Sequence, residues 1–399
     1  MSLPTEPPRH DVHPQNPAHH DPSHRGLQAI PADTVSLADY ERHAQARMDA
    51  GAWAYLQGGA GDEHTLRANA QAWQALQLLP RVLRRTAGGH TRSELLGRTL
   101  AHPIIVAPVA YQKLAHPEGE MDTALAAAAQ EAGFVLSTQS SVRMEDIGDA
   151  IASDDLRGPL WMQLYLQPDR AFTQALVHRA EAAGFEAIVL TVDAPTSGVR
   201  DRERRSGFRL PAGISAVNLA GMGATAAPGE RREQGGLPPQ GSALFDDLLH
   251  HAPTWDDVAW LRSRTRLPIL LKGVLHPDDA RQARDAGVQG LIVSNHGGRT
   301  LDTVLPTARA LPRIVDAVGA DLPVLVDGGI RRGTDVLKAL ALGARAVLVG
   351  RPCMHALATA GALGVAHGIR LLRDELEAAM ALTGCATLAD IHRGLIDPR

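Results

Sequence analysis

Gly290-Leu291-Ile292-Val293-Ser294-Asn295-His296-Gly297-Gly298-Arg299 passes from four apolar residues directly into a polar, glycine-rich cluster. A run this apolar reads as a strand covered on both faces, as in a parallel α/β sheet, whose open crevice lies beyond the carboxyl ends of its strands. His296 stands at that end. The two glycines let the backbone turn sharply and pass close to a ligand, and Arg299 offers a planar, permanently charged fork for a carboxylate or phosphate. A histidine bonded into an ordinary loop is the plain alternative, so the other strand ends decide.

Seven further short apolar runs share the pattern: Pro103–Pro108, Phe134–Thr138, Leu160–Leu166, Ala187–Asp193, Pro268–Gly273, Pro323–Gly328 and Ala346–Arg351. Helical periodicity separates the eight runs at Glu118–Ala132, Met144–Ala152, Asp169–Ala183, Trp255–Arg264, Pro277–Ala286, Ala308–Val318 and Thr334–Leu342, with a further helix after Cys353. Eight β-then-α units specify an α/β protein of the closed (β/α)8 TIM-barrel class. An open doubly wound sheet fits less well, because no GxGxxG turn follows the first strand. Ahead of the barrel lies an N-terminal helical segment. Ser36 can cap a helix over Leu37–Ala50, a second helix spans Asp62–Ala75, and Ala54-Tyr55-Leu56-Gln57-Gly58-Gly59 connects them.

A chain of 399 residues with 44% hydrophobic residues can bury one large barrel core. Residues 35–399 are expected to form it, behind a disordered leader, 1–34, whose prolines and histidines cannot build a core. No fixed ligand geometry is implied by those histidines, and no metal site is expected. A net charge of −4 gives no reason to expect nucleic acid or an anionic membrane as partner. Two cysteines without CxxC spacing, and no export signal or long apolar stretch, point to a reducing cytoplasm. Roughly sixty residues follow the fourth strand, far more than an ordinary βα loop. This insertion, 194–254, contains the charged run Arg200–Arg205 and the Gly/Ala/Pro/Gln-rich stretch Gly221–Gly241. Its position above the active face allows either an active-site lid or a passive surface insert.

The strand ends together carry a chemical inventory. Pro108, Val109 and Ala110 follow the first strand, Ser137 and Thr138 the second, Gln163 and Tyr165 the third, and Thr191, Asp193 and Arg200 the fourth. Lys272 ends the fifth and His296 the sixth; Asp327-Gly328-Gly329-Ile330-Arg331 and Gly350-Arg351 end the last two. Glycines with Arg331 and Arg351 after the last two strands occupy the usual phosphate position of such barrels, which implies a phosphorylated cofactor. Tyr55, Tyr165, Arg200, Arg299 and His296 remain for a small anionic substrate.

These motifs resemble those of the FMN-dependent 2-hydroxy acid oxidases and dehydrogenases, the family of glycolate oxidase and lactate oxidase. The most specific matches are Ser294–Arg299, Asp327–Gly333, Ala115-His116-Pro117-Glu118-Gly119-Glu120 and Leu190-Thr191-Val192-Asp193-Ala194-Pro195, within a likeness running from about Ser36 to Ile391. The resemblance implies FMN, with Pro108, Val109 and Ala110 presenting backbone to its ring. Ser137, Gln163, Thr191, Lys272 and Ser294 would bond its edges or ribityl chain, and Asp327, Gly328, Gly329, Ile330, Arg331, Gly350 and Arg351 would hold ribityl and phosphate. It further implies His296 as catalytic base with Asp193 as its partner, Arg200 and Arg299 as the carboxylate clamp, and Tyr55 and Tyr165 as hydroxyl groups around the substrate. A hydride route and a proton-abstraction route use the same base.

The implied activity is oxidation of a small L-2-hydroxy acid of lactate or glycolate type, with oxygen as acceptor and hydrogen peroxide as product. A quinone or other acceptor, and a bulkier acid such as mandelate, are the alternatives. Ala110 beside the ring tilts toward oxygen, and Gln139 stands where plant glycolate oxidases carry a tryptophan, which makes the pocket roomier or more polar. A homotetramer is expected by the same resemblance. A non-redox FMN barrel of the isopentenyl diphosphate isomerase kind would have no use for Tyr55, Tyr165 and His296, and a catalytically silent barrel would have no reason to keep every acid and base.

Overall fold

The computed structural model describes residues 29–221, 244–245, 249 and 252–398. The leader up to residue 28 and the glycine-rich part of the insertion at 222–243 lie outside the described residues. Eight parallel strands close into a barrel: β3 (Ile104–Val106), β4 (Gly133–Leu136), β5 (Leu160–Leu164), β6 (Ala187–Thr191), β7 (Ile269–Lys272), β8 (Gly290–Val293), β9 (Val324–Val326) and β10 (Ala346–Val349). β10 returns to β3 with Val349 opposite Val106, so no edge is left unpaired. The expected (β/α)8 barrel is therefore the observed one, with strands shorter than their apolar runs because several residues at the carboxyl ends turn out into the site.

All eight strands are buried along their length, and alternate residues serve two cores. Ile105, Val135, Trp161, Val189, Leu270, Ile292, Leu325 and Leu348 fill the barrel, while their neighbours pack outward against helices. Those helices are α4 (Glu120–Ala129), α5 (Met144–Ile151), α6 (Arg170–Ala182), α8 (Trp255–Arg262), α9 (Pro277–Asp285), α10 (Thr307–Val318), α11 (Gly333–Ala341) and α12 (Arg351–Thr383). A short helix, α7 (Asp201–Ser206), sits in the long connection after β6.

An antiparallel hairpin, β1 (Ser93–Leu95) and β2 (Arg98–Leu100), was not foreseen from the pattern, because its strands are too short to show alternation. Leu95 and Leu100 join the inner core and cover the amino-terminal end of the barrel. Arg98 and Arg157 hold the hairpin there through Glu186, at 2.5 and 2.6 Å.

The N-terminal segment holds three helices where two were expected: α1 (Leu37–Arg47), α2 (Ala50–Gln57) and α3 (His64–Ala75). The first expected helix breaks at Asp49, whose carboxylate accepts from the Gly51 and Ala52 amides and starts α2. Tyr55 is consequently on a helix, not in a connection. Ser36 precedes α1 but does not cap its backbone; its hydroxyl donates to Asp39 at 2.7 Å.

α3 lies across the tops of two strand ends. Trp73 Nε1 donates to the Gly328 carbonyl at 2.8 Å, and a Cβ on Gly329 would stand 2.6 Å from the backbone of Asn69. Gly329 also has φ +88°, so the glycine is demanded by helix packing and by backbone conformation together. Gly329→Ala should lose about 1–3 kcal/mol from backbone strain alone, with the collision added. The thermal midpoint of the FMN-loaded protein should fall by several degrees; an unchanged midpoint would mean that α3 does not dock as described.

Candidate active site

His296 has φ +56° and is followed by Gly297 and Gly298 at +62° and +73°, a left-handed turn that bends the chain out of β8. Histidine visits this region more readily than most residues, and the Ser294 hydroxyl accepts the His296 amide at 3.0 Å to hold it there. The imidazole Nδ1 lies 2.9 Å from Asp193 Oδ1, and Nε2 lies 3.4 Å from the Tyr165 hydroxyl. A carboxylate can only accept, so Nδ1 carries the proton and Nε2 presents a free lone pair toward Tyr165. Burial pushes the Asp193 carboxyl up, but His296 and Lys272 outweigh it and hold its pKa below the ordinary value. Burial, reinforced by the Asp193 charge, raises the Tyr165 phenol, which stays protonated and can donate.

Beside this base runs a buried polar ladder across neighbouring strand ends. Ser137 Oγ donates to Gln163 Oε1 at 3.3 Å, and Gln163 Nε2 donates to Thr191 Oγ1 at 3.0 Å. Lys272 Nζ donates to Ser294 Oγ at 3.0 Å and pairs with Asp327 Oδ2 at 3.1 Å. Burial alone would lower the Lys272 pKa; Asp327 and Asp193 reverse that, and the ammonium is held charged in the floor of the site.

At the other side stand two arginines and Tyr55. The guanidinium carbons of Arg200 and Arg299 lie 5.8 and 5.2 Å from the centre of the Tyr55 ring, whose other contacts include Phe208, stacked at 4.9 Å. Arg299 Nη1 donates to the carbonyls of Tyr55 and Gly58 at 2.6 and 2.8 Å, which fixes the fork and leaves its remaining nitrogens for a ligand. The structure thus brings Tyr55, Tyr165, Asp193, Arg200, His296 and Arg299 to one end of the barrel, from four separate segments of chain.

The FMN-dependent dehydrogenase family model matches residues 44–398. The chain belongs to that family. It is 50% identical over 373 residues to an L-lactate oxidase of Alicycliphilus denitrificans, covering 92% of this chain and 98% of the relative. It is 47% identical over 364 residues to a 4-hydroxymandelate oxidase of Amycolatopsis orientalis, covering 90% and 97%. Among solved structures, mandelate oxidase with (S)-2-phenylpropionate superposes with a TM-score of 0.79 at 43% identity, covering 91% of this chain and 98% of that one.

The family's cofactor fits the residues present. Asp327 Oδ1 is buried without a hydrogen-bond partner among the described residues, an oxygen placed to accept from a ribityl hydroxyl. Pro108, Val109 and Ala110 are only half-buried at the mouth of an otherwise sealed barrel and can lie against the flavin ring. Ser137, Gln163, Thr191, Lys272 and Ser294 offer the donors and acceptors that a flavin edge needs, and a cation at Lys272 suits the charge a flavin gains on reduction. For the phosphate, Gly328, Gly329, Ile330 and Arg331 lead into the N-terminus of α11, and Gly350 into that of α12. The two arginines there differ. Arg351 donates through all three of its nitrogens to the carbonyls of Leu56, Gly297 and Gly58 at 2.9–3.1 Å, so it ties backbone together. Arg331 has no acceptor for its guanidinium among the described residues, and this free fork makes it the better anion ligand although burial lowers its pKa.

Several residues that shape the site escaped the sequence reading. Asn69 and Asn295 exchange two side-chain amide bonds, at 2.9 and 2.8 Å, in full burial, and Asn295 Oδ1 also accepts the Gly298 amide. They lock the His296 turn to α3. Their signal is faint because an asparagine 226 residues from its partner looks like any polar helix residue. Glu203, beside Arg200 at 2.9 Å, was hidden within a charged run. Glu120, in the motif after β3, is buried and accepts from the Gln112 and Ser141 amides and the Ser141 hydroxyl, joining two loops at the mouth.

His296→Ala should keep FMN, since neither the Lys272 pairings nor the Arg331 region involves the imidazole, yet slow anaerobic flavin reduction by a 2-hydroxy acid at least about a hundredfold. Stopped-flow absorbance is the check, and bleaching near the unaltered rate would remove His296 from the base position. Asn69→Ala should cost about 1–3 kcal/mol by removing the two buried amide bonds with Asn295, lowering the thermal midpoint while His296 itself is intact.

Proposed function

We infer that the protein oxidises a 2-hydroxy monocarboxylic acid to the 2-oxo acid, using FMN and passing the electrons to oxygen with release of hydrogen peroxide. The observation that carries this reading is the bare Nε2 of His296, fixed by Asp193 at Nδ1 and lying in the same mouth as Arg200 and Arg299. FMN, when bound, supplies the two-electron acceptor. Arg200 and Arg299 would grip the substrate carboxylate, and Tyr165 and Tyr55 would orient the hydroxyl-bearing carbon. A proton leaving the substrate is received at Nε2, and the imidazolium so formed is stabilised by the charged Asp193 across a 2.9 Å bond.

A short L-acid of lactate type is favoured by the 50% identity to an L-lactate oxidase over nearly the whole of both chains. An aryl acid is the second reading. It is favoured by the aromatic surface that Tyr55 shares with Phe208 at 4.9 Å and Tyr111 at 6.1 Å, together with the likeness to mandelate oxidase. Comparing kcat/KM for L-lactate, glycolate and (S)-mandelate, with peroxide measured alongside, separates the two. Flavin bleached by an acid but not recoloured by air would replace oxygen with another acceptor.

A cytoplasmic homotetramer belongs to the same proposal. It draws on the family resemblance and on two cysteines, Cys353 and Cys385, that are buried and free. No helix among the described residues is long and apolar enough to cross a membrane.

Arg200→Lys and Arg299→Lys both keep the charge and lose the two-pronged geometry. Losing one charge-assisted bond is worth about 1.5–3 kcal/mol, so kcat/KM should fall roughly ten- to hundredfold. Normal turnover in either variant would exclude that arginine from the clamp.

A further inference from the structure

Two guanidinium groups facing one tyrosine ring in a largely buried mouth repel each other before any substrate arrives. The burial of Arg299 lowers its pKa, and the nearby Arg200 charge lowers it further, while Tyr55 and Glu203 work in the opposite direction. Glu203 therefore faces both arginines. Its Oε2 lies 2.9 Å from Arg200 Nη1, with both side chains about one-fifth exposed. That oxygen is nevertheless buried and accepts no hydrogen bond from the described residues, so it holds the guanidinium by charge.

The other charges of α7 are occupied away from this point. Arg202 pairs with Glu63 at 2.5 Å, and Arg204 and Arg205 lie 3.8 and 3.5 Å from Asp201, both arginines exposed. At the carboxylate end of the site the formal charges are thus Arg200, Arg299 and Glu203, a net of +1. Around them Lys272 is paired with Asp327, and the Asp193 carboxylate, bonded to a neutral imidazole, is offset by Arg351, whose Nη2 shares the Gly58 carbonyl with Arg299.

We propose that Glu203 is a specificity-setting residue: it holds Arg200 loosely and fixes the local charge at +1, so that the site accepts a single carboxylate and rejects 2-hydroxy acids bearing a second one. A monoanion neutralises this end of the site. A dianion would leave an excess negative charge beside Glu203 in a medium that screens poorly. The weakly directed Glu203 contact also lets Arg200 turn its N–H fork from the glutamate to an incoming carboxylate without breaking a good hydrogen bond.

The proposal rests on the hydroxy acid reading above, and the test separates the two. In the FMN-loaded protein, dissociation constants for acetate and malonate are measured from the shift of the flavin spectrum, and KM and kcat are measured for L-lactate, L-malate and tartronate. Unaltered protein should bind malonate no more tightly than acetate and should favour lactate. Glu203→Gln should move the malonate-to-acetate and malate-to-lactate ratios about tenfold toward the dianion, chiefly through Kd and KM, whereas the charge-keeping Glu203→Asp should leave them near their starting values. Equal changes for both ligand classes in Glu203→Gln would make the residue merely structural and overturn the proposal. So would tighter binding of malonate than of acetate by the unaltered protein, a comparison that does not depend on the variant folding. If no 2-hydroxy acid reduces the flavin at all, the function itself fails, while the two equilibrium ratios still judge Glu203.

Discussion

A charged carboxylate against one imidazole nitrogen is the contact around which the mouth of this barrel is arranged. Asp193 stays ionised in burial because His296 and Lys272 face it, and its 2.9 Å bond decides which nitrogen of His296 is bare. Remove that charge and the ring is free to hold its proton on the wrong side. The two partners arise 103 residues apart, from the ends of β6 and β8. Between them stands β7, whose Gly273 backbone at φ +113° passes so close to Asp193 that a Cβ there would lie 2.4 Å from the aspartate Cβ. The aspartate is thus held by packing as well as by charge.

Much of the fold was legible because a buried parallel strand writes itself as an unbroken apolar run, and a flanking helix as a 3.6-residue period. The eight runs became the eight barrel strands, and the polar residues after them became the walls of the site. What stayed hidden depended on distance or brevity. Three-residue strands such as β1 and β2 carry no period, and the break at Asp49 between α1 and α2 looks like one continuous amphipathic stretch until the cap is seen. Nor does a motif say which of two arginines meets a ligand. Arg331 and Arg351 look equivalent after their glycines, and the carbonyls that occupy Arg351 come from Leu56, Gly58 and Gly297, which no local pattern connects to it.

α3 is the least conspicuous contributor in sequence and one of the most consequential in space. Through Asn69 it holds the His296 turn, through Trp73 the Gly328 carbonyl, and the Asp302 carboxylate caps its first turn at the His64 and Thr65 amides. A helix outside the barrel therefore positions both His296 and the loop suited to the cofactor. Stability and catalysis share residues here, so mutations far from any ligand can register as lost activity.

The three-carbonyl knot on Arg351 bears on how the molecule comes into being. Its acceptors lie as many as 295 residues upstream, and the arginine itself opens α12, directly after the strand that closes the barrel. A ribosome-bound chain can have β3 to β9 paired, with Arg299 already tying the His296 segment to the Tyr55 and Gly58 carbonyls, yet the further tie to Leu56, Gly58 and Gly297 waits until β10 and Arg351 emerge. A polypeptide truncated before residue 351 would hold the reactive side chains but lack both the strand that closes the barrel and the cation that completes their gathering.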